Sequence, residues 1–172
     1  MRALLADEPM LAAELIEPAA GALLAPLVVP PLTSEQAAGL DLILEGFLLH
    51  HGTPRHLSPA APGSEVLAGD YCYASGLVRI AASGDLYVVE ALADLIAIGA
   101  GLVAAGDRAS LVPLWRATTR VIAARGGADG ERAEAEFDAG RRALREGGDA
   151  GGLRALAAAL PPTPGLEEAL TR

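Results

Sequence analysis

The sequence predicts an all-helical fold, a bundle of about six to eight mostly antiparallel helices, and three observations support this prediction. Just over half of the 172 residues are hydrophobic but only 3% are aromatic, so Leu, Ala, Val and Ile must form the core. Ala and Leu are strong helix formers, whereas the residues that favour strands are sparse. No segment alternates convincingly between apolar and polar residues, and the connections are short. We expect one helical domain over 1–172, with its core at about 8–125 and more polar helices at 126–172.

The first half of the chain contains three predicted helices. Thr33 and Gln36 are typical of a helix start, and the helix that they begin should run to about His51. Prolines interrupt the helical pattern before and after this helix. The predicted helices cover residues 8–16, 33–51 and 64–82, and the irregular connections cover 25–32 and 54–62.

The second half begins with apolar helices and then becomes more polar. Gly106 should close the first of these helices, and Asp107 should cap the next one. The helix near residues 130–146 is rich in charged residues, so we expect it to face solvent for the most part. The predicted helices cover residues 86–105, 108–125, 130–146, 154–160 and 166–171.

Composition excludes several classes of function. The net charge of −9 argues against binding to nucleic acid or to an anionic membrane. Glu90 and Asp94 interrupt the most apolar stretch, so no transmembrane segment is expected, and Asp7 and Glu8 interrupt any signal peptide. The chain has no lysine and a single cysteine, Cys72, which we expect to be inert packing in a cytoplasmic protein.

The helix over 33–51 is apolar nearly all round, which is typical of a buried helix. Asp41 and Glu45 stand out in it, and their spacing of four residues places both carboxylates on one side. They are the best candidate metal site in the chain, although two ligands are too few to support catalysis alone. The pair could hold one hydrated Mg²⁺ weakly, or it could be solvated or paired with arginine, which is the interpretation that we favour.

Three histidines, His50, His51 and His56, follow closely in the sequence. Adjacent residues on a helix point about 100° apart, so a metal cluster built from these histidines is less favoured than a solvated helix end. Glycine-rich phosphate loops, Cys/His metal spacings and Ser/His/Asp patterns are missing from the sequence.

The residues from Asp41 to Ala74, taken together, resemble the central part of the trans-polyprenyl diphosphate synthases. That family has an Asp-Asp-x-x-Asp motif, then Arg-Arg-Gly-x-Pro, then Gly-Asp-Tyr or Gly-Asp-Phe on the next helix. This sequence has Asp41-Leu-Ile-Leu-Glu45, then His50-His51-Gly52-Thr53-Pro54, then Leu67-Ala68-Gly69-Asp70-Tyr71. The resemblance covers about residues 35–105 and implies the isoprenoid-synthase fold in a truncated form.

The departures from the family pattern imply that this chain does not catalyse the reaction by itself. Family members use Mg²⁺ ions, held by two aspartate-rich motifs, to neutralise the departing diphosphate. Leu42 occupies the position of the family's second aspartate, and His50 and His51 occupy the positions of its paired arginines. Histidine lacks the permanent positive charge of arginine and its bidentate binding of phosphate. The second aspartate-rich motif is missing, and Gly99-Ala100 replaces a Gly-Glu or Gly-Gln. No cofactor is therefore expected, and Mg²⁺ is possible only at Asp41 and Glu45.

The function implied by the resemblance is that of a small, non-catalytic subunit. Such a subunit pairs with a catalytic polyprenyl diphosphate synthase, or with itself, and helps to shape product chain length. Ala37 and Ala38 would leave room for a growing prenyl chain, or would simply permit close helix packing. The candidate tunnel or interface positions are Ala37, Ala38, Leu44, Phe47, Tyr71 and Tyr73.

Two alternatives belong to other classes. One is a stand-alone helical module that binds a prenyl chain, another lipid or a protein. The other is a weakly active Mg²⁺-dependent prenyltransferase or terpene cyclase that uses Asp41 and Glu45.

Overall fold

The computed structural model of the protein describes residues 1–17, 20–61 and 63–171, so Pro62 in the expected loop 54–62 lies outside the described residues. The described part is all-helical, which confirms the predicted fold class. Its α-helices are α1 (Arg2–Ala6), α2 (Pro9–Ala12), α3 (Ser34–His51), α4 (Ser64–Ala81), α5 (Leu86–Ala104), α6 (Leu111–Ala124), α7 (Gly130–Arg145), α8 (Gly151–Ala157) and α9 (Pro164–Thr171). Short 3-10 turns precede α3, at Ala25–Leu27, and α6, at Arg108–Ser110.

The N-terminal segment differs from the prediction, because the single helix expected at 8–16 is replaced by α1 and α2. The chain leaves the helix after Ala12 and pairs with the loop that follows α3. The Ile16 amide donates to the His56 carbonyl at 2.9 Å, and the Ser58 amide donates to the Glu14 carbonyl at 2.7 Å. The backbone groups of Glu14 and Ile16 therefore form hydrogen bonds with the loop after α3 and not within a helix.

The predicted start of α3 at Thr33 and the predicted cap at Asp107 are confirmed, although Asp107 caps the 3-10 turn before α6, and Asp85 is a cap that was not predicted. Thr33 and Gln36 form a reciprocal capping box, in which each side chain accepts a hydrogen bond from the other residue's amide. Asp85 accepts from the first amides of α5, and Asp107 accepts from the Ser110 amide. Gly106 lies two residues after the end of α5, and its φ of +75° is a backbone conformation that favours glycine.

Helices α3 and α4 form a closely packed antiparallel pair at the centre of the fold. A Cβ on Gly39 would lie 2.6 Å from the Gly76 carbonyl oxygen, and a Cβ on Gly76 would lie 2.6 Å from that of Gly39. Seven residues further along α3, a Cβ on Gly46 would lie 2.9 Å from the Gly69 carbonyl oxygen. Glycine at these positions therefore allows the two helix backbones to touch.

The main hydrophobic core extends well beyond residue 125, where the sequence analysis placed its end. Phe137 and Leu144 of α7 are buried in the same cluster as α3 and α6, and so is Leu170 of α9. Residues 130–146 are mostly not buried, as expected, but one side of the helix packs into the core. The spacing of seven residues between Phe137 and Leu144 places them on one face of α7, beneath its charged outer side.

A second, smaller cluster lies on the other side of the α3–α4 pair. Leu5 and Leu11 of the N-terminal segment pack there against Leu42 of α3 and Cys72 of α4. Burial raises the pKa of the Cys72 thiol to about 12, which fits the expected inert packing role. The N-terminal segment thus covers one flank of α3.

Candidate functional site

Asp41 lies inside the protein, with 1% of its surface exposed. One carboxylate oxygen accepts hydrogen bonds from the amides of Leu23 and Leu24, at 2.9 and 3.2 Å. The other oxygen accepts from the Ala25 amide at 2.9 Å. Asp41 therefore holds residues 23–25, at the start of the 3-10 turn, against the middle of α3.

Glu45 performs the same task for the loop after α3. One of its oxygens accepts from the amides of Arg55, His56 and Leu57, at 3.0, 2.8 and 3.0 Å. Burial raises the pKa of Glu45, while these three amides and the nearby Arg55 charge oppose that rise. Glu45 is 1% exposed, so it holds the loop from within the core.

These contacts differ from the solvated or arginine-paired state that we favoured for the pair from the sequence. The carboxylates of Asp41 and Glu45 are buried, and the Arg55 guanidinium donates instead to the Gly21 carbonyl at 2.9 Å. All the described hydrogen bonds to their oxygens come from backbone amides. A Mg²⁺ ion, which needs several hard oxygen ligands, would have to displace these amides to bind the pair.

Leu42 stands between these two residues and points to a different part of the molecule. It is fully buried in the second cluster, under the N-terminal segment. The position that matches the family's second aspartate is therefore covered by the chain itself.

His50, Asp70 and Tyr73 come together where α3 passes the middle of α4. The Nε2 atom of His50 lies 3.2 Å from the Asp70 carboxylate, and its ring stacks on Tyr73 at 5.2 Å between centroids. Gly69 makes room for this ring, because a Cβ there would lie 2.6 Å from Nε2. The Asp70 side chain is 66% exposed, so this pair reaches the surface.

His51 is partly buried at the end of α3. Its ring lies 4.8 Å from that of Phe47, and its carbonyl accepts from the Arg108 guanidinium at 2.7 Å. Burial, and then the charges of His50 and Arg108, lower the pKa of His51. This helix end is therefore only partly solvated, because the His51 ring packs beside Phe47.

His56 is separate from the other two histidines and is 2% exposed. Neither ring nitrogen has a hydrogen-bond partner. Burial lowers the pKa of His56 to about 4, with further contributions from the charges of Arg55, the N-terminal amine and Arg2. The structure thus does not bring the three histidines together as a metal cluster.

The candidate tunnel or interface residues lie mostly within the chain. Ala37, Leu44 and Phe47 are buried in the main core, whereas Ala38, Tyr71 and Tyr73 are partly exposed. The Phe47 ring meets that of Trp115 edge-on at 5.5 Å and lies against Gly99, where a Cβ would approach it to 2.9 Å. Aromatic rings therefore fill the space beside the middle of α3.

The apolar helix at 86–105 suits an interface by its sequence, and the structure leaves one side of it exposed, the outer face of α5, which we define by Leu86, Ala93, Ala97, Gly101 and Ala104. All five are exposed, and Leu86 is 81% exposed. They recur every three, four or seven residues and so share one side of the helix. Glu90 lies on the same side, one turn after Leu86, and its side chain is 63% exposed. The apolar surface made of small residues therefore runs from Ala93 to Ala104, with Leu86 beyond Glu90.

The charges of α5 are paired with α7 on the neighbouring side. Arg141 donates to Asp94 and, at 2.9 Å, to Glu90, while Arg145 also contacts Asp94. Tyr87 lies under Arg141 and donates to Asp138 at 3.0 Å. This network joins the polar α7 to one flank of α5.

Among the described helices, only α5 is long and apolar enough to cross a membrane by length and composition. One third of its most apolar 18-residue window is buried in the structure. A core helix of a water-soluble protein can pass the same test, so this observation is weak evidence for a membrane span.

No protein-family model matches the chain, and neither the curated proteins nor the solved structures include a significant match.

Proposed function

We propose that this chain is a non-catalytic subunit that pairs with a catalytic trans-polyprenyl diphosphate synthase and helps to set product chain length. The proposal combines the resemblance of residues 35–105 to that family with one structural observation, the exposed outer face of α5. Contiguous apolar surface on a small protein typically marks an interaction site.

The outer face of α5 suits a helical partner. Ala93, Ala97 and Gly101 present little side-chain bulk, so a partner helix could approach closely and bury the exposed Leu86 at one end. These residues make α5 a better candidate for pairing than α3, which is already enclosed.

The non-catalytic part of the proposal is supported by Asp41 and Glu45. Their oxygens accept from backbone amides of the loops around α3. Stripping these amides to bind Mg²⁺ would leave buried donors unsatisfied, at a cost of about 1–3 kcal/mol each. The catalytic partner would therefore supply the metal and the diphosphate site.

Control of chain length would act through the partner. Ala37, Leu44 and Phe47 are enclosed within this chain and are closely packed, so they give little support to a tunnel through the chain itself. Pairing would instead position or stiffen the wall of the partner's own tunnel.

The test is co-expression with a synthase from the same genome that carries both aspartate-rich motifs. We expect the two chains to co-elute and the mixture to make a product of different length from that of the synthase alone. Ala97→Arg, on the outer face of α5, should abolish both effects. Ala135→Arg is the matched control, because Ala135 is also exposed but lies on α7. Separate elution, or an unchanged product, would contradict the proposal.

The two alternatives have their own measurements. A lipid-binding module would retain a prenyl chain or other lipid on purification, which mass spectrometry of the extracted protein detects. A weak prenyltransferase would consume allylic diphosphate only with Mg²⁺. For the latter, Asp41→Asn is a better variant than Asp41→Ala, because it keeps an oxygen for the amides of Leu23 and Leu24.

A further inference from the structure

A groove lies between the N-terminal segment and the first turns of α4, and we call it the N-terminal groove. Leu11 and Ala68 form its floor and are 5% and 3% exposed. Met10 and Leu67 stand at its rims and are 72% and 62% exposed, and Tyr71 closes one end. Two large apolar side chains held out in water beside an apolar floor are typical of an interaction site.

The size of the groove decides which kind of group could fill it. Its volume is about 90 Å³, whereas an engineered apolar cavity that binds benzene has about 150 Å³. One aliphatic side chain fits the smaller volume, but a polyprenyl chain does not. The occupant is therefore an anchor side chain, such as Leu or Met, on a protein segment.

The charges of the described residues that line the groove are of one sign. Glu8 and Glu14 line it, and the largely exposed Asp70 follows Leu67 by three residues on α4. Within the described part of the chain, the groove lining includes no arginine or histidine. Electrostatic complementarity therefore favours an occupant with basic residues on either side of its apolar anchor.

We infer that the N-terminal groove docks a segment of a partner protein, with one aliphatic anchor side chain flanked by Arg or Lys. A second copy of this chain is a poor occupant, because each copy carries a net charge of −9 and the groove itself is acidic. The inference goes beyond the proposed function, since the N-terminal groove does not include the outer face of α5.

The test is selection of a random 16-residue peptide library, displayed on phage, against the full chain. We expect enriched peptides to contain an aliphatic residue with Arg or Lys on both sides. Synthetic versions should bind Leu67→Gln at least tenfold more weakly than the wild type. The Glu8→Gln/Asp70→Asn double variant should bind them about threefold more weakly at low salt, and this difference should vanish at high salt.

Val78→Gln is the matched control, because Val78 is also strongly exposed, at 70%, and lies on the same helix eleven residues beyond Leu67. It should leave peptide binding unchanged, and circular dichroism should show that all the variants are folded. The inference is overturned if no peptide is enriched, if the enriched peptides lack basic residues, or if Leu67→Gln binds them normally. It is also overturned if sedimentation shows that the chain self-associates and that Leu67→Gln abolishes this.

The outcomes remain separate from those of the proposed function. Pairing that depends on Ala97, without selection of basic peptides, would retain the proposed function and remove this inference. Selection of basic peptides that depend on Leu67, without pairing with the synthase, would retain this inference and remove the proposed function.

Discussion

Helices α3 and α5 have similar sequences and opposite surroundings. Both are long and apolar, and each carries two carboxylates four residues apart, Asp41 with Glu45 and Glu90 with Asp94. In α3 the carboxylates accept from backbone amides of two loops, inside the core. In α5 they accept from arginines of a single neighbouring helix, α7. The same sequence pattern thus serves two different arrangements.

This difference shows that the segments packed around an apolar helix determine whether it lies in the core or at the surface. Loops, the N-terminal segment and α4 cover most of α3, so little of its surface is left for a partner. Only some sides of α5 are covered, and its outer face is left for a partner. Substitutions that are chemically identical should therefore have opposite effects in the two helices.

The largest difference is expected for a glycine-to-alanine pair. Gly39→Ala should destabilise the protein by about 3 kcal/mol or more, because its Cβ would lie 2.6 Å from the Gly76 carbonyl oxygen of α4. Gly101→Ala should instead stabilise it by about 0.5–1 kcal/mol, since nothing lies within 4 Å and alanine favours the helix. Urea unfolding measures both, and equal effects would contradict the contrast.

The next effect concerns the carboxylates. Glu45→Ala leaves three buried amides without an acceptor and should cost about 2–3 kcal/mol. Glu90→Ala removes an ion pair from a side chain that is 63% exposed and should cost less than about 0.5 kcal/mol. The comparison fails if chemical denaturation gives similar losses for the two variants.

A smaller effect depends on pH and on His56, which lies in the enclosed loop after α3. The folded protein keeps this ring neutral down to about pH 4, whereas the unfolded chain takes up the proton near its ordinary pKa of about 6.5. Stability is therefore full above about pH 6.5, falls between 6.5 and 4, and levels off below. Linkage gives a loss of about 2 kcal/mol from pH 7 to pH 5.

The measurement is the free energy of unfolding against pH for the wild type and for His56→Gln. The slope attributed to this residue should be missing in the variant, whatever its absolute stability. A variant that keeps the full slope would show that other groups cause the acid sensitivity.

The smallest effect is expected on the outer face of α5. Leu86→Ser should change the free energy of unfolding by less than about 0.5 kcal/mol, because the side chain is already 81% exposed. Thermal unfolding of the isolated chain measures this. A large loss of stability would mean that Leu86 is packed within the chain in solution.

Much of the fold could be predicted because its signals are local. The helix start at Thr33 and Gln36, the cap at Asp107 and the burial of α3 follow from side chains close in sequence. The buried face of α7 was missed, because abundant charges hid the apolar spacing that includes Phe137.

The environment of the candidate site could not be predicted in the same way. Asp41 and Glu45 are recognisable as buried acids, but their partners are backbone amides of residues 23–25 and 55–57. Every residue except proline carries such a donor, so the partners leave no sequence signature. The sequence also does not distinguish Gly99 from Gly101, yet a Cβ at Gly99 would meet the Phe47 ring at 2.9 Å, whereas a Cβ at Gly101 would meet nothing within 4 Å.

The small cluster beneath the N-terminal segment gives the protein an internal reporter. Cys72 is its only cysteine and is fully buried there. A disulfide reagent that releases a coloured thiolate can react with Cys72 only after Leu5, Leu11 or the packed face of α4 has moved aside. The rate of colour development under native conditions therefore measures how often this flank of the molecule opens, without any label or substitution.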